Sequence, residues 1–164
     1  MKIAVISDTH MGTPPSWLDR VYSTWLAPAD VLVHCGDITS FAAWSFFMQH
    51  DNFICVRGNC DWDPQLVDQL EPMVTARVGG LMLGVTHGWG PRSQVPVKVA
   101  QAFGPEFDLV CYGHTHARDW SVVEGVRLCN PGSLGESGSL AVITIGDGGD
   151  MRCEFIDAAQ LPFP

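Results

Sequence analysis

Five short stretches of this 164-residue chain bring together residue types that bind metal. They are Asp8-Thr9-His10, Gly36-Asp37, Gly58-Asn59-Cys60-Asp61, His87-Gly88 and Gly113-His114-Thr115-His116. Two aspartates (Asp8, Asp37), four histidines (His10, His87, His114, His116) and Asn59 supply hard oxygen and borderline nitrogen donors. That mixture suits Mn, Fe, Zn, Ni or Co rather than Ca or an all-thiolate site. Seven side chains exceed the four that one tetrahedral ion takes. They suffice for two ions roughly 3.5–4 Å apart with one carboxylate between them. Each stretch is weak alone, since D-x-H is a common triplet and Gly-Asp is ordinary turn chemistry. Gly-His-x-His is firmer, because alternate residues leaving a strand point the same way. Together they mark a site.

The elements that must position them are legible. Apolar runs at Lys2–Ile6, Val31–His34, residues 53–56, Leu81–Thr86, residues 109–112, residues 140–145 and residues 151–156 read as strands, most of them buried on both faces. Helices are expected over residues 16–26 and 41–49, each opened by a serine cap, and over 94–103, where Pro96 limits the start. Early strand–helix alternation argues for parallel βαβ units. Glu124-Gly125 between residues 120–123 and 126–128 is a hairpin signal, so the end of the chain is expected to be antiparallel. The candidate ligands follow directly after these runs. In open α/β sheets, ligands bind outside the carboxyl ends of the strands, so residues distant in sequence converge on one rim. Glycines 36, 58, 88 and 113 permit the sharp turns there.

The length allows one domain, expected to span residues 1–164, and 46% apolar with 16% charged residues describes a globular chain. Eighteen acidic against nine basic residues give a net charge of −9. That argues against polymeric nucleic acid and anionic membranes as partners. The first apolar run is far too short for a signal-peptide core, and nothing approaches the ~20 residues of a membrane span. The six cysteines form no C-x-x-C pair and read as reduced, mostly core residues of a cytoplasmic protein.

In order, SDTH, HCGD, RGNCD, THG, GHTH and NPGS resemble the calcineurin-like metallophosphoesterase superfamily, and within it the small, uncapped bacterial and archaeal phosphodiesterases. The resemblance covers nearly the whole chain. It implies an α/β fold, a four-layer αββα sandwich of two mixed β-sheets, with metals at the carboxyl rim. It implies that Asp8, His10, Asp37 and His116 bind one ion and that Asp37, Asn59, His87 and His114 bind the other. The implied activity is hydrolysis of a small phosphodiester by a hydroxide held between two divalent ions, manganese first among them, with Ni, Fe, Zn or Co as alternatives. Two ions over two carboxylates leave the ligand shell near +2, which attracts a compact phosphate to an acidic body.

One departure stands out. The superfamily's usual G-N-H-[D/E] reads G-N-C-D here, so Cys60 replaces the histidine thought to assist the leaving group. A thiol of pKa ~8.5 matches that role poorly, so good leaving groups are expected. Asn59, Cys60, His87 and His114 are the catalytic candidates, with Cys60 as a packed residue beneath Asn59 the alternative. After Asn130-Pro131-Gly132-Ser133 the small diesterases often have Pro-Arg, whereas this chain has Gly135-Glu136. His34 and Asp61 are either supports for the ligands or core residues. Arg57 is either a phosphate contact or structural, and His50 is expected to be a solvated helix end. Trp17, Trp25 and Trp44 read as packing, and Trp62 and Trp89 as walls of the site or ordinary rim. Two rival readings stand beside the diesterase: a protein-binding scaffold of the same fold, as in a retromer subunit, and a phosphomonoesterase. A homo-oligomer is also expected from the number of tryptophans.

Overall fold

Alternation along the first strand sets the architecture. Ile3 and Val5 pack into one buried cluster, Ala4 and Ile6 into another, so both faces of that strand are covered. The computed structural model describes residues 1–158. The chain runs β1 (Lys2–Ile6), α1 (Trp17–Val21), a π-helical turn (Tyr22–Leu26), β2 (Val31–His34), α2 (Phe41–Phe47), β3 (Phe53–Cys55) and α3 (Pro64–Val67). It continues through β4 (Met73–Val78), β5 (Leu81–Thr86), a 3-10 turn (Arg92–Gln94), α4 (Val95–Phe103), β6 (Leu109–Cys111) and β7 (Arg118–Val123). It ends with β8 (Val126–Pro131), α5 (Leu134–Ser137), β9 (Ser139–Ile145) and β10 (Met151–Asp157).

Two five-stranded mixed sheets result, ordered β10-β9-β1-β2-β3 and β4-β5-β6-β8-β7. The β1–β2, β2–β3, β5–β6 and β6–β8 pairs are parallel, and the rest are antiparallel. Val33, Val85, Cys111, Cys129 and Ile143 fill the space between the sheets. Leu18, Leu26, Phe47 and Leu66 cover the outer face of the first sheet, and Val95, Val99 and Phe103 of α4 cover the second. The layers are therefore αββα, as the resemblance implied. Each fully buried aliphatic side chain contributes roughly 1.5–3 kcal/mol.

Most expected elements form, with instructive differences. Ser40 caps α2 by accepting from Ala43 N (3.0 Å). Ser16 makes no such bond, and the helix it precedes divides into α1 and the π-helical turn. Strand β4 was not expected. Its burial alternates between exposed and half-buried residues, as suits an edge strand, and Thr75 and Arg77 break the apolar run that signals a strand. Trp17, Trp25 and Trp44 pack against the helix-covered core, as expected. His50 does not project into solvent. It is buried, with Nδ1 accepting from Asn52 N (3.1 Å) and Nε2 donating to Ala29 O (3.1 Å), because the chain turns back over it toward β3. Among the described residues no helix is long and apolar enough to cross a membrane.

Candidate metal centre

Strands β1, β2, β5 and β6 end at the same rim, and the chain leaves each through a tight turn. Seven non-glycine residues among those described have positive φ, and six of them line this rim: Asp8, His10, Asp37, Thr39, His114 and His116. Each costs about 1–2 kcal/mol relative to ordinary backbone, and such strain concentrates at functional sites. Two glycines are sterically required. A Cβ on Gly113 would lie 2.0 Å from Ser7 Oγ, and one on Gly58 would lie 2.2 Å from Asp37 Oδ1.

The hydrogen bonds of the imidazoles reveal what the rim is built for. His87 Nδ1 donates to Cys35 O (2.8 Å), so in the neutral ring Nε2 is a lone pair. It faces Asn59 Oδ1 at 3.1 Å and Asp37 Oδ2 at 3.4 Å. His114 Nε2 donates to Gly90 O (3.0 Å), which leaves Nδ1 as a lone pair 2.9 Å from the same Asn59 Oδ1. Asn59 Nδ2 is turned away to donate to Cys60 Sγ (3.2 Å). His116 Nδ1 donates to Glu136 Oε2 (2.5 Å), and its Nε2, the lone-pair nitrogen of the neutral ring, lies 3.2 Å from Asp8 Oδ1. His10 Nε2 lies 3.6 Å from Asp37 Oδ2 and 3.9 Å from Asp8 Oδ1.

In the neutral rings these nitrogens face other acceptors. Asp8 Oδ1 is fully buried with no hydrogen-bond partner among the described residues, an expensive state unless a cation shares the space. Asp37 Oδ2 lies 3.6 Å from His10 Nε2 and 3.4 Å from His87 Nε2, and Asp8 Oδ1 lies 3.9 Å from each of the same two nitrogens. The donor atoms of Asp8, His10 and His116 lie within 4.8 Å of one another, as do those of Asp8, Asp37 and His87. The donor set fits divalent ions. A third group, His10, Asp37 and Cys60, brings the thiol to the edge of the cluster.

Charge around the site behaves accordingly. Burial raises the Asp37 carboxyl, but His87 and the Cys60 backbone N–H outweigh it and hold it at about 2. Burial lowers His87, and Asp37 more than compensates, so its pKa is raised. Burial, then Asp37, pushes the Cys60 thiol up to about 11, further from a proton donor's range than its residue type implied.

Two of the supports, Asp61 and Asn130, are buried too. Asp61 accepts from Asp37 N (3.0 Å), Thr39 N (2.7 Å) and Gly58 N (2.6 Å), tying the Asp37 and Asn59 loops together. Asn130, whose role the sequence did not disclose, donates to Gly113 O (2.8 Å) and Thr115 Oγ1 (3.1 Å) and so sets the Gly-His-x-His turn. Glu136, seen only as a departure from the family pattern, reaches His116. Arg57 is structural: it donates to Val67 O (3.4 Å). Trp62 and Trp89 are exposed beside the Asn59 and His87 turns, outside the buried cores.

His34 joins two ligand loops. Gly36 N donates to its Nδ1 (3.1 Å), so the ring proton is on Nε2 and bonds Thr9 Oγ1 (3.0 Å). Complete burial lowers its pKa from 6.5 to about 3. The unfolded chain therefore takes up this proton first. The stability linked to neutral His34 is intact above about pH 6.5 and is lost as pH falls toward 3, at about 1.4 kcal/mol per unit. Urea unfolding of metal-free protein between pH 7 and 4.5 should show a steeper loss for the wild type than for His34→Gln. Equal slopes would remove His34 from the acid response.

A family model, the calcineurin-like phosphoesterase superfamily domain, matches residues 1–148. The chain belongs to that superfamily. It is 29% identical over 136 residues to the probable metallophosphoesterase YsnB of Bacillus subtilis, covering 82% of this chain and 75% of that one. It is 28% identical over 144 residues to the phosphodiesterase MJ0936 of Methanocaldococcus jannaschii, covering 80% and 83%. Two solved structures share the fold. An archaeal phosphodiesterase superposes with a TM-score of 0.70 at 22% identity over 95% of this chain and 100% of that one. Vps29 of Entamoeba histolytica complexed with zinc gives 0.62 at 22% identity over 96% and 99%. For a member of this superfamily, phosphoester hydrolysis with divalent metal is the supported activity.

Proposed function

We propose that this chain is a phosphodiesterase whose strand-end side chains hold two divalent ions. Asp8, His10, Asp37 and His116 would hold the first, and Asp37, Asn59, His87 and His114 the second, with Asp37 shared. The observation that carries the reading is the convergence of Asp8, Asp37, Asn59 and imidazole acceptor atoms on one rim, with Asp8 Oδ1 buried and without a hydrogen-bond partner among the described residues. Bound there, the ions lower the pKa of a water and neutralise charge on the phosphoryl oxygens. The donor set of imidazole and carboxylate favours manganese, with Ni, Fe, Zn or Co also accommodated.

The chain's own residues do the rest. His87 and His114, anchored through Cys35 O and Gly90 O, keep their free nitrogens aimed at the reacting centre. Asn59 is oriented by its bond to Cys60. With Cys60 in place of a histidine, the site lacks a strong proton donor, which favours a small ester with a good leaving group, and the net charge of −9 disfavours a nucleic-acid strand. Because a Vps29 of the same fold is itself solved with zinc, metal binding alone does not separate this reading from a scaffold, and turnover must.

The test is hydrolysis of a paired aryl diester and aryl monoester by metal-stripped protein titrated with Mn, Ni, Zn and Mg. Diester hydrolysis should return with Mn or Ni and exceed monoester hydrolysis. Preference for the monoester would overturn the diesterase reading. Silence with metal demonstrably bound would favour the scaffold.

A further inference from the structure

We propose that Glu136 is a positioning residue that orients His116 and makes the first metal position (Asp8, His10, Asp37, His116) the tighter of the two. This rests on the two-metal reading above and extends it to a residue outside the ligand set.

The three anchored imidazoles are not equivalent. His87 and His114 give their distal N–H to the backbone carbonyls of Cys35 and Gly90, whereas His116 gives Nδ1–H to a carboxylate, Glu136 Oε2, at 2.5 Å. A charge-assisted bond is about twice as strong as a neutral one, and a carboxylate behind an imidazole makes the opposite nitrogen a better donor to a cation. That opposite nitrogen, His116 Nε2, is the one 3.2 Å from the partnerless Asp8 Oδ1.

Glu136 is held in register with Asp8 by its own turn. Ser133 Oγ donates to Asp8 O (2.8 Å) and accepts from Glu136 N (2.9 Å). Leu134 N donates to Ser7 O (3.0 Å) and Gly135 N to Asp8 O (3.3 Å). A Cβ on Gly135 would lie 2.1 Å from Thr9 O, so α5 lies against the Asp8 loop as closely as backbone can. Asp8 and Glu136 are thereby set on opposite nitrogens of one ring. His116 itself sits at φ 56°, a conformation that needs outside support. The Glu136 side chain is 70% exposed, so its replacement removes the bond to His116 without opening a cavity.

The experiment measures Zn²⁺ and Mn²⁺ binding to metal-stripped wild type, Glu136→Gln and Glu136→Ala by calorimetry with a competing chelator. Nitrogen NMR of the metal-free proteins reads the His116 tautomer in parallel. The wild type should take two ions in two steps. Glu136→Ala should weaken the tighter step by about 10–100-fold, leave the weaker step unchanged and lose the Nδ1–H preference of His116. Glu136→Gln, which can still accept the bond, should fall between them. Two ions bound with the tighter step unaltered in Glu136→Ala would overturn the role of Glu136 and leave the two-metal reading standing. A wild type that takes one ion or none would overturn the two-metal reading, and this inference with it.

Discussion

Asp37→Asn should lower metal-supported phosphodiester hydrolysis by about 10³-fold or more, on the order of 4 kcal/mol of transition-state stabilisation, while the metal-free chain keeps its stability within about 1 kcal/mol. The asymmetry follows from the two oxygens of that carboxylate. Oδ1 accepts from Cys60 N at 2.7 Å, a bond an asparagine oxygen also makes, so the turn survives. Oδ2 stands 3.6 Å from His10 Nε2 and 3.4 Å from His87 Nε2, between the two proposed ion positions. An amide there offers a neutral group with two N–H donors where a shared anion is required. Steady-state rates with Mn²⁺ and urea midpoints without metal check both halves. Activity within tenfold of wild type would mean that Asp37 does not link the ions.

Binding of metal should stabilise the fold as strongly as any single side chain in it. The metal-free chain holds Asp8 Oδ1 buried without a partner and sets the His87, His114, Asn59 and Asp37 acceptors against one another. An ion that binds only the folded chain, supplied at about 1,000 times its dissociation constant, adds about 4 kcal/mol. For a domain of this size that corresponds to a rise of roughly 8–16 °C in Tm. Thermal scans with Mn²⁺ or Zn²⁺, repeated with Asp37→Asn as control, make the comparison. A rise below about 2 °C at saturating metal, or an equal rise in Asp37→Asn, would show that the facing acceptors are not where the ions bind.

The main strands and the ligand residues were legible because their signals are local. VLVH followed by Cys-Gly-Asp, or LMLGVT followed by His-Gly, states in a few adjacent residues that a buried strand ends in a polar turn. β4 was not legible, since an edge strand buries only alternate side chains and Thr75 and Arg77 can face water. Nor was the place of His50, whose partners Ala29 and Asn52 meet it only when the chain folds back. Asn130 and Glu136 escaped for a related reason: a lone polar residue carries no periodicity, and its meaning resides in what it touches.

By itself the sequence determined which residue types could carry chemistry, that they follow buried strands, and that they suit two divalent ions. The tertiary structure alone decided which nitrogen of each anchored imidazole is free in the neutral ring, that Asp8 Oδ1 is buried without a hydrogen-bond partner among the described residues, and that Glu136 backs His116. Residue type and strand context are properties of neighbours along the chain. The direction of a lone pair depends on the hydrogen bond at the other end of the ring, and those partners lie 20 residues away for His116 and 52 for His87.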